Sequence, residues 1–234
     1  MSDVYENCPV FENDKYLLRF ATLEDAEDLT DVYGDKNALP FFNSDNCHGE
    51  NFYYPDKESM EKAIAFWHSS YTSKWFVRWT IYDKEIQKAI GAIELFHRTA
   101  EDEFNDTGVL RLDLRSSCET ADIIAAIISM IIPDAFDLFD CEEIITKVPI
   151  YAVERIEAVQ KTGFKKTDRL LIGTIDGYAY KDYWFIKKNS MFKQELWLKE
   201  ELNGSAGRRS LPFCCHTACD QRTDACLPWR TEEN

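Results

Sequence analysis

Metal-binding residue types are concentrated near the end of the chain. Thiol and imidazole groups stand close together at Cys214, Cys215, His216, Cys219 and Cys226. A zinc site needs four such ligands held tetrahedrally, and this spacing fits no common zinc finger. His48, His68 and His97 are isolated, with no two at metal-ligand spacing. The sequence therefore predicts no bound metal.

The charge balance bears on the class of partner. The 234 residues carry a formal net charge of -15 at pH 7. Nucleic-acid phosphates require a basic surface, so this composition argues against nucleic acid as a partner. An acidic surface favours a cationic partner such as an amine, although the same charge can simply maintain solubility. Both interpretations stay open at this point.

The first residues and the scattered cysteines are typical of a protein of the reducing cytosol. No basic segment followed by an apolar stretch is present at the start, so we expect no signal peptide. The longest apolar run, residues 123–132, is too short to cross a membrane. Cys8, Cys47, Cys118 and Cys141 are therefore expected to be free thiols in a reducing cytosol, and the protein to be cytoplasmic without membrane contact.

Hydrophobic periodicity gives the order of the elements. It predicts a strand, two helices, three strands, a helix, a strand, a helix and two closing strands. Their approximate bounds are 15–20, 22–33, 59–67, 75–82, 89–96, 109–114, 119–139, 143–148, 153–162, 168–175 and 179–186. Pro133 is expected to kink the long third helix. This order predicts an α/β (α+β) fold with a mixed, mostly antiparallel central sheet and helices on both faces.

Composition divides the chain after Lys187. Residues 1–188 contain the alternating elements and form the predicted domain. Residues 189–203 are charged and are predicted to form an appended helix. Residues 204–234 have few apolar anchors and carry the cysteine cluster, so they are predicted to be a loose tail whose removal leaves the domain intact.

Residues 108–164 carry a family resemblance. The strand Leu-Arg-Leu-Asp-Leu at 110–114 is followed by a long helix and a strand, then by Glu154-Arg155-Ile156 and by Lys-Thr-Gly-Phe at 161–164. Together with the element order over residues 15–188, this resembles the GNAT N-acetyltransferases, nearest the branch acting on ribosomal-protein N-termini and antibiotics. The resemblance implies a GNAT-like acyl-CoA N-acyltransferase fold. It also implies transfer of an acetyl group from acetyl-CoA, as co-substrate, to a primary amine of a small molecule or protein N-terminus.

The family's pyrophosphate loop, Gln/Arg-x-x-Gly-x-Gly/Ala, overlays residues 119–124. Glu119 stands at the leading position, and Asp122 and Ile124 stand where the glycines would be. A shifted register would let Arg115 supply the positive charge. The resemblance thus assigns cofactor binding to the strand end and helix start, namely Leu112, Leu114, Arg115, Ser116, Ser117, Glu119, Thr120 and Asp122.

A second hypothesis follows from the same segment. Ser116-Ser117-Cys118-Glu119 matches a capping box, whose side chains would satisfy the helix-start amides that a pyrophosphate needs. Glu119 and Asp122 would also repel phosphate. The alternative function is therefore a catalytically inactive GNAT-fold binding or regulatory protein that has lost the pyrophosphate loop.

Catalytic candidates follow from the resemblance as well. Many GNAT enzymes use a strand glutamate as base and a tyrosine of the last helix as acid, and the overlay puts Val109 and Val159 at those positions. Substitute bases are Glu94 and Asp113, and the substitute acid is Tyr151. Either carboxylate could instead face solvent. The aromatic residues at 41–42 and 52–54 are expected either to line an acceptor pocket or to pack in the core.

Overall fold

The computed structural model describes residues 3–189. The predicted appended helix beyond residue 189, the predicted tail and its cysteine cluster lie outside these residues. Within the described range Cys8, Cys47, Cys118 and Cys141 are free thiols.

The described elements follow the predicted order from residue 16 to residue 161, with one extra short strand before that range and four strands instead of two after it. The strands are β1 (Phe11–Glu12), β2 (Tyr16–Phe20), β3 (Val77–Asp83), β4 (Lys88–Arg98), β5 (Thr107–Leu114), β6 (Glu143–Lys147), β7 (Lys165–Lys166), β8 (Leu171–Ile172), β9 (Ala179–Tyr180) and β10 (Tyr183–Lys187). The α-helices are α1 (Ala26–Tyr33), α2 (Lys57–Thr72), α3 (Ala121–Leu138) and α4 (Val153–Lys161).

One mixed sheet organises these elements. Its eight strands follow the order β1-β2-β3-β4-β5-β6-β10-β7, while β8 and β9 form a separate two-stranded sheet. Every pairing in the large sheet is antiparallel except that between β5 and β6. The predicted mixed, mostly antiparallel sheet is confirmed, and its parallel step is where α3 crosses from one strand to the next.

Alternation along β5 distributes the core between two faces. Leu110, Leu112 and Leu114 join the apolar cluster that contains the α3 isoleucines such as Ile124 and Ile128. On the other face, Asp113 meets Tyr33 of α1. Successive side chains of a strand point to opposite sides, so helices cover both faces of the sheet as predicted.

The start of the second helix differs from the sequence prediction, and the third helix contains a proline. The second helix begins at Lys57 rather than Ser59, because Asp56 is its N-cap and accepts a hydrogen bond from the Ser59 backbone at 2.9 Å. The third helix continues as one α-helix through Pro133, whose side chain lies on the exposed surface.

The region after α4 contains shorter strands than the sequence predicts. Residues 168–186 were expected to form two long strands, but they form the short β8 and β9 and then β10. The chain turns at Gly177, whose φ is +71°. Asp176 accepts hydrogen bonds from the Tyr178 backbone and the Tyr180 hydroxyl, and these local bonds replace a continuous strand ladder.

Candidate active site

A gap opens between β5 and β6 in the middle of the sheet. The parallel pairing covers three residue pairs, the last being Leu110 with Thr146. Beyond that pair β5 continues for four residues to Leu114, and it pairs there with β4 alone. The strands therefore diverge over residues 111–114, which lie immediately before the start of α3.

The direction of the β5 backbone determines which N–H groups point into this gap. The Arg115 amide donates to the Ile90 carbonyl on the β4 side, at 3.0 Å. Because N–H groups alternate in direction along an extended strand, those of Leu112 and Leu114 point to the opposite edge, toward the gap. Strand amides with no ladder partner are suited to a ligand that carries amide and carbonyl groups.

Four charged side chains, three of them buried and the fourth, Arg111, 13% exposed, lie on the face of the sheet beside this gap. The register places Arg78, Glu94 and Arg111 side by side on β3, β4 and β5. Arg78 donates to Glu94 at 2.5 Å and to Asp113 at 2.9 Å, and Arg111 donates to Glu94 at 3.0 Å. We call these residues, with Asp113, the ion quartet. Two positive and two negative charges cancel within it.

The predicted base Glu94 is thus held on both carboxylate oxygens. Its side chain is 2% exposed. Burial alone would raise the pKa of Glu94, but the adjacent charges of Arg78 and Arg111 overcome this and lower that pKa below its usual value. Glu94 consequently stays ionised at neutral pH and is a weak proton acceptor unless the arginines move.

Asp113, the other predicted base, is also buried. Its Oδ2 accepts hydrogen bonds from the Tyr33 hydroxyl and Arg78, both at 2.9 Å. Its Oδ1 has no hydrogen-bond partner among the described residues. Burial raises the pKa of Tyr33 well above its ordinary value, so this hydroxyl remains a donor. Asp113 therefore keeps one carboxylate oxygen available, in a site closed to bulk water.

The predicted acid Tyr151 lies at the end of β6, on the far side of the gap. Its ring is exposed, and its hydroxyl donates to the Pro40 carbonyl at 2.5 Å. The ring of Phe41 lies 6.1 Å away, centroid to centroid. These contacts bring the loop after α1 beside the gap. Tyr151 is not in contact with Glu94 or Asp113.

The start of α3 is organised differently from the predicted capping box. Ser116–Cys118 form a 3₁₀ turn, and the N-cap of α3 is Thr120, with no hydrogen bond from its side chain. The capping-box prediction is therefore wrong. The Ala121 amide donates instead to the Glu154 carboxylate of α4, at 2.6 Å. The Glu154 carboxylate therefore lies where a bound phosphate would accept hydrogen bonds from the start of a helix.

Both acids of the overlaid loop are paired with cations of α4. Glu119 accepts two hydrogen bonds from Arg155, one of them at 2.9 Å, and its side chain is 6% exposed. Asp122 is 92% exposed and lies 3.0 Å from Lys161. In the sequence, Arg115 is the only cation close to this loop, so the pattern does not predict Arg155 and Lys161 as partners. They are 36 and 39 residues away in sequence, so only the packing of α4 against α3 reveals them.

A large cavity opens on the ion-quartet face. It measures about 730 Å³, and both Glu94 and Arg111 line it. Aromatic side chains form much of its wall, namely Phe52, Tyr54, Phe66, Trp67, Trp75 and Phe76. Of the predicted aromatic cluster, Phe52 and Tyr54 thus line the cavity, whereas Phe42 is buried in the core beside Tyr33.

The loop that borders this cavity has an unusual backbone. Asn46, His48 and Phe52 have φ angles of 59°, 54° and 59°, in the left-handed region that asparagine and histidine adopt more readily than a bulky residue such as phenylalanine. All three residues line the cavity. Such conformations persist where the surrounding structure imposes them, and they are enriched at ligand sites. Burial raises the pKa of the Cys47 thiol in the same loop.

The isolated histidines do not form a metal site. His68 contacts the Ala21 carbonyl and His97 contacts the Phe139 carbonyl, both at 2.7 Å. Within residues 3–189, no group of three or more potential ligands is placed to hold a metal ion. The predicted absence of a metal in the cysteine-rich tail stays a prediction.

Comparisons with solved structures identify the fold. A GNAT-family acetyltransferase from Bacillus anthracis aligns with a TM-score of 0.57 at 10% identity, over 77% of this chain and 99% of that one. A ribosomal-protein alanine acetyltransferase from Vibrio fischeri aligns at 0.55 and 16% identity, over 76% and 94%. Spermidine N-acetyltransferase from Vibrio cholerae, in complex with CoA and spermine, aligns at 0.54 and 12% identity, over 77% and 99%.

These neighbours define the class of fold. The chain has the fold of the GNAT acetyltransferases, as its element order predicts. No protein-family model matches it, and no curated protein sequence matches it significantly. Among the described residues, no helix has the length and apolar character needed to cross a membrane.

Proposed function

We propose that the protein is an N-acetyltransferase that moves an acetyl group from acetyl-CoA to a primary amine of a small molecule or protein N-terminus. One observation carries the proposal: the β5–β6 gap adjoins the aromatic cavity at Arg111. Arg111 is the first β5 residue beyond the last β6 pair, and its side chain lines the cavity. A thioester in the gap and an amine in the cavity would therefore meet at this residue.

The reaction requires few groups from the protein. The neutral amine nitrogen attacks the thioester carbonyl carbon, a C–N bond forms, the C–S bond breaks, and CoA leaves as a thiolate. The nitrogen loses one proton and the thiolate gains one. In this proposal the outward N–H groups of Leu112 and Leu114 hold the acyl-CoA chain and polarise the carbonyl.

Three side chains are proposed for the proton transfers. Glu94 lines the cavity and is the proposed acceptor of the amine proton, through water, once Arg78 or Arg111 moves away from its carboxylate. Asp113 is the alternative acceptor, because its Oδ1 has no partner among the described residues. Tyr151, at the β6 side of the gap, protonates the thiolate. We place the reaction in the cytosol, in keeping with the four free thiols of residues 3–189.

The diphosphate is assigned to the start of α3. Its proposed partners are Arg115, Ser116, Ser117 and Thr120, with Glu119 and Asp122 as the opposing acids of the same segment. The start of α3 suits a diphosphate less well than the gap suits the acyl chain, because the Ala121 amide already donates its hydrogen bond to Glu154. Arg155 and Lys161 nevertheless bring two cations to the same helix start, and an incoming diphosphate could replace Glu119 and Asp122 as their partner.

Substitution of Glu154 tests the proposal. Glu154→Ala frees the Ala121 amide and removes one negative charge, so acetyl-CoA binding should tighten by about 1 kcal/mol, the scale of a helix-terminus charge effect. Glu157→Ala is the matched control: it removes the same charge from the same helix and frees one partner of Lys161, but no helix-start amide, so its effect on binding should be smaller. Calorimetric titration with acetyl-CoA measures both variants against wild type.

The outcome separates the two functions considered for this fold. Greater tightening in Glu154→Ala than in Glu157→Ala, together with CoA release on addition of an amine, supports the enzyme. If wild type and both variants bind no acetyl-CoA at millimolar concentration, the proposal fails. The helix start is then only a structural contact between α3 and α4, and the non-catalytic binding protein becomes the better account.

A further inference from the structure

The aromatic cavity carries information about the acceptor. We infer that the cavity takes a primary amine borne on a flat aromatic group through a short alkyl link, and not a polyamine. This inference rests on the proposed function for the reaction. The affinity of the cavity for one class of amine over another depends only on the residues that line it, and it can be measured without the reaction. The GNAT-fold neighbour from Vibrio cholerae is in complex with spermine, a linear polycation, so the two classes make a sharp contrast.

Charge on the cavity floor argues against a polycation. The floor carries Arg78, Glu94 and Arg111, and both oxygens of Glu94 are engaged by the two arginines. A polyamine needs several unpaired carboxylates, each within a few ångströms of one ammonium group. Among the described residues, the unpartnered polar atoms of the ion quartet are the Arg111 Nε, which is a donor, and the Asp113 Oδ1, whose residue does not line the cavity, so the floor offers no free carboxylate to a second ammonium group. Glu50 is the other carboxylate of the wall, and it lies exposed at the mouth.

The aromatic wall could still attract cations through its ring faces, but Arg78 already occupies several of them. Its guanidinium carbon lies 4.6 Å from the ring centroid of Trp67 and 5.9 Å from those of both Phe52 and Phe76. A ring face that holds a guanidinium has little electrostatic attraction left for a second cation. These rings therefore complete the packing around Arg78, and they leave the cavity apolar.

The mouth provides the surface for an aromatic ligand. Phe66 and Trp75 line the cavity and are 55% and 61% exposed, which is unusual for aromatic side chains on adjoining elements. A ligand ring stacked between them would cover this surface. The volume of about 730 Å³ accommodates a bicyclic aromatic group with its alkyl link and leaves the nitrogen near Arg111.

Binding of amines to the full chain without acetyl-CoA tests the inference. Titration calorimetry compares tryptamine, spermidine and butylamine. Tryptamine should bind about ten-fold more tightly than butylamine or spermidine, because only its ring buries apolar surface against the wall. The inference is overturned if spermidine binds as tightly as tryptamine, or if tryptamine binds no more tightly than butylamine.

Two exposed positions provide matched variants. Trp75→Ala removes a ring of the mouth and should weaken tryptamine binding about three- to ten-fold. Tyr178→Ala removes an aromatic side chain that is 69% exposed and does not line the cavity, so tryptamine binding should stay at the wild-type value. Equal affinity in wild type and Trp75→Ala overturns the assignment. Because both side chains are exposed, neither substitution threatens the fold.

Adding acetyl-CoA separates this inference from the proposed function. If tryptamine binds as expected but no acetyl group is transferred, the proposed function fails and the ligand class of the cavity stands. If acetyl transfer occurs with spermidine preferred over tryptamine, the proposed function stands and the ligand class fails. Release of the CoA thiol, followed with a thiol reagent, provides this second readout.

Discussion

Arg78 makes more polar contacts inside the protein than its neighbours in the ion quartet. It donates to Glu94, Asp113 and the Tyr33 hydroxyl, and its side chain is 4% exposed. Taking such a charge out of water is costly, and the cost is offset only while every partner is in place. The ion quartet thus acts as one unit, because the Arg78 guanidinium compensates the buried charge of both carboxylates.

Arg78→Met should therefore destabilise the protein by about 3–5 kcal/mol, because Glu94 and Asp113 would remain buried with too few cations. Urea unfolding followed by fluorescence measures the loss. Lys62→Met is the control: its pair with Glu58 is 74% and 78% exposed, and such pairs contribute about 0–1 kcal/mol. A loss below about 1 kcal/mol for Arg78→Met would show that water or side-chain movement compensates the quartet.

The sequence predicts these residue types but not their pairing. Glu94 and Asp113 were identified as carboxylates on neighbouring strands, with solvent exposure as the alternative. Their burial depends on the register that places Arg78 and Arg111 on either side of Glu94. No local pattern specifies a register across three strands. The same holds for Glu119, whose expected role in a capping box is overridden by Arg155 of α4.

The end of β5 is held in place by β4, and Gly91 is central to this contact. Gly91 pairs with Leu114, and a Cβ atom on Gly91 would lie 2.2 Å from the Asp113 carbonyl oxygen. The clash is with backbone, so a larger residue must push β5 away. The unpaired edge of β5 would then move relative to the gap.

Gly91→Ala is consequently expected to cost about 1–3 kcal/mol of stability, the range for overpacked sites, and to weaken acetyl-CoA binding. Thermal unfolding and calorimetry would be run on the same sample. Lys88→Ala, at an exposed position of the same strand, should change stability by no more than about 0.5 kcal/mol. Wild-type stability in Gly91→Ala would mean that β4 and β5 separate without strain.

Elements with a strong pattern were predicted well. The α3 isoleucines recur at helical spacing, and the helix was placed within two residues at each end. The closing strands were predicted less accurately, because their apolar and aromatic residues do not reveal that Gly173 and Gly177 close a turn through a hydrogen bond of 2.9 Å. The gap could not be predicted from residue type at all, since it is an absence of pairing between two ordinary strands.

At the scale of the whole molecule, the largest apolar cluster among the described residues extends from Val4 to Ile186. Deletion of residues 204–234 should therefore shift the melting temperature by less than about 5 °C. Deletion of residues 183–234 is the contrasting variant: it removes β10, which pairs with β6 over five residues, and should prevent folding. A larger shift in the shorter deletion would show that the C-terminal segment supports the domain.

The three-pair contact between β5 and β6 has a mechanical consequence. It joins a half-sheet of five strands, β1 to β5, to a half-sheet of three, β6, β10 and β7. On one face, the apolar cluster containing the α3 isoleucines includes side chains from both halves, such as Leu112 and Ile144. A change in the inclination of the two halves would leave most ladder hydrogen bonds intact, because three residue pairs alone join the halves among the described strands. The elastic cost of widening the gap for a guest molecule therefore lies in the shared apolar cluster, whose side chains would have to repack.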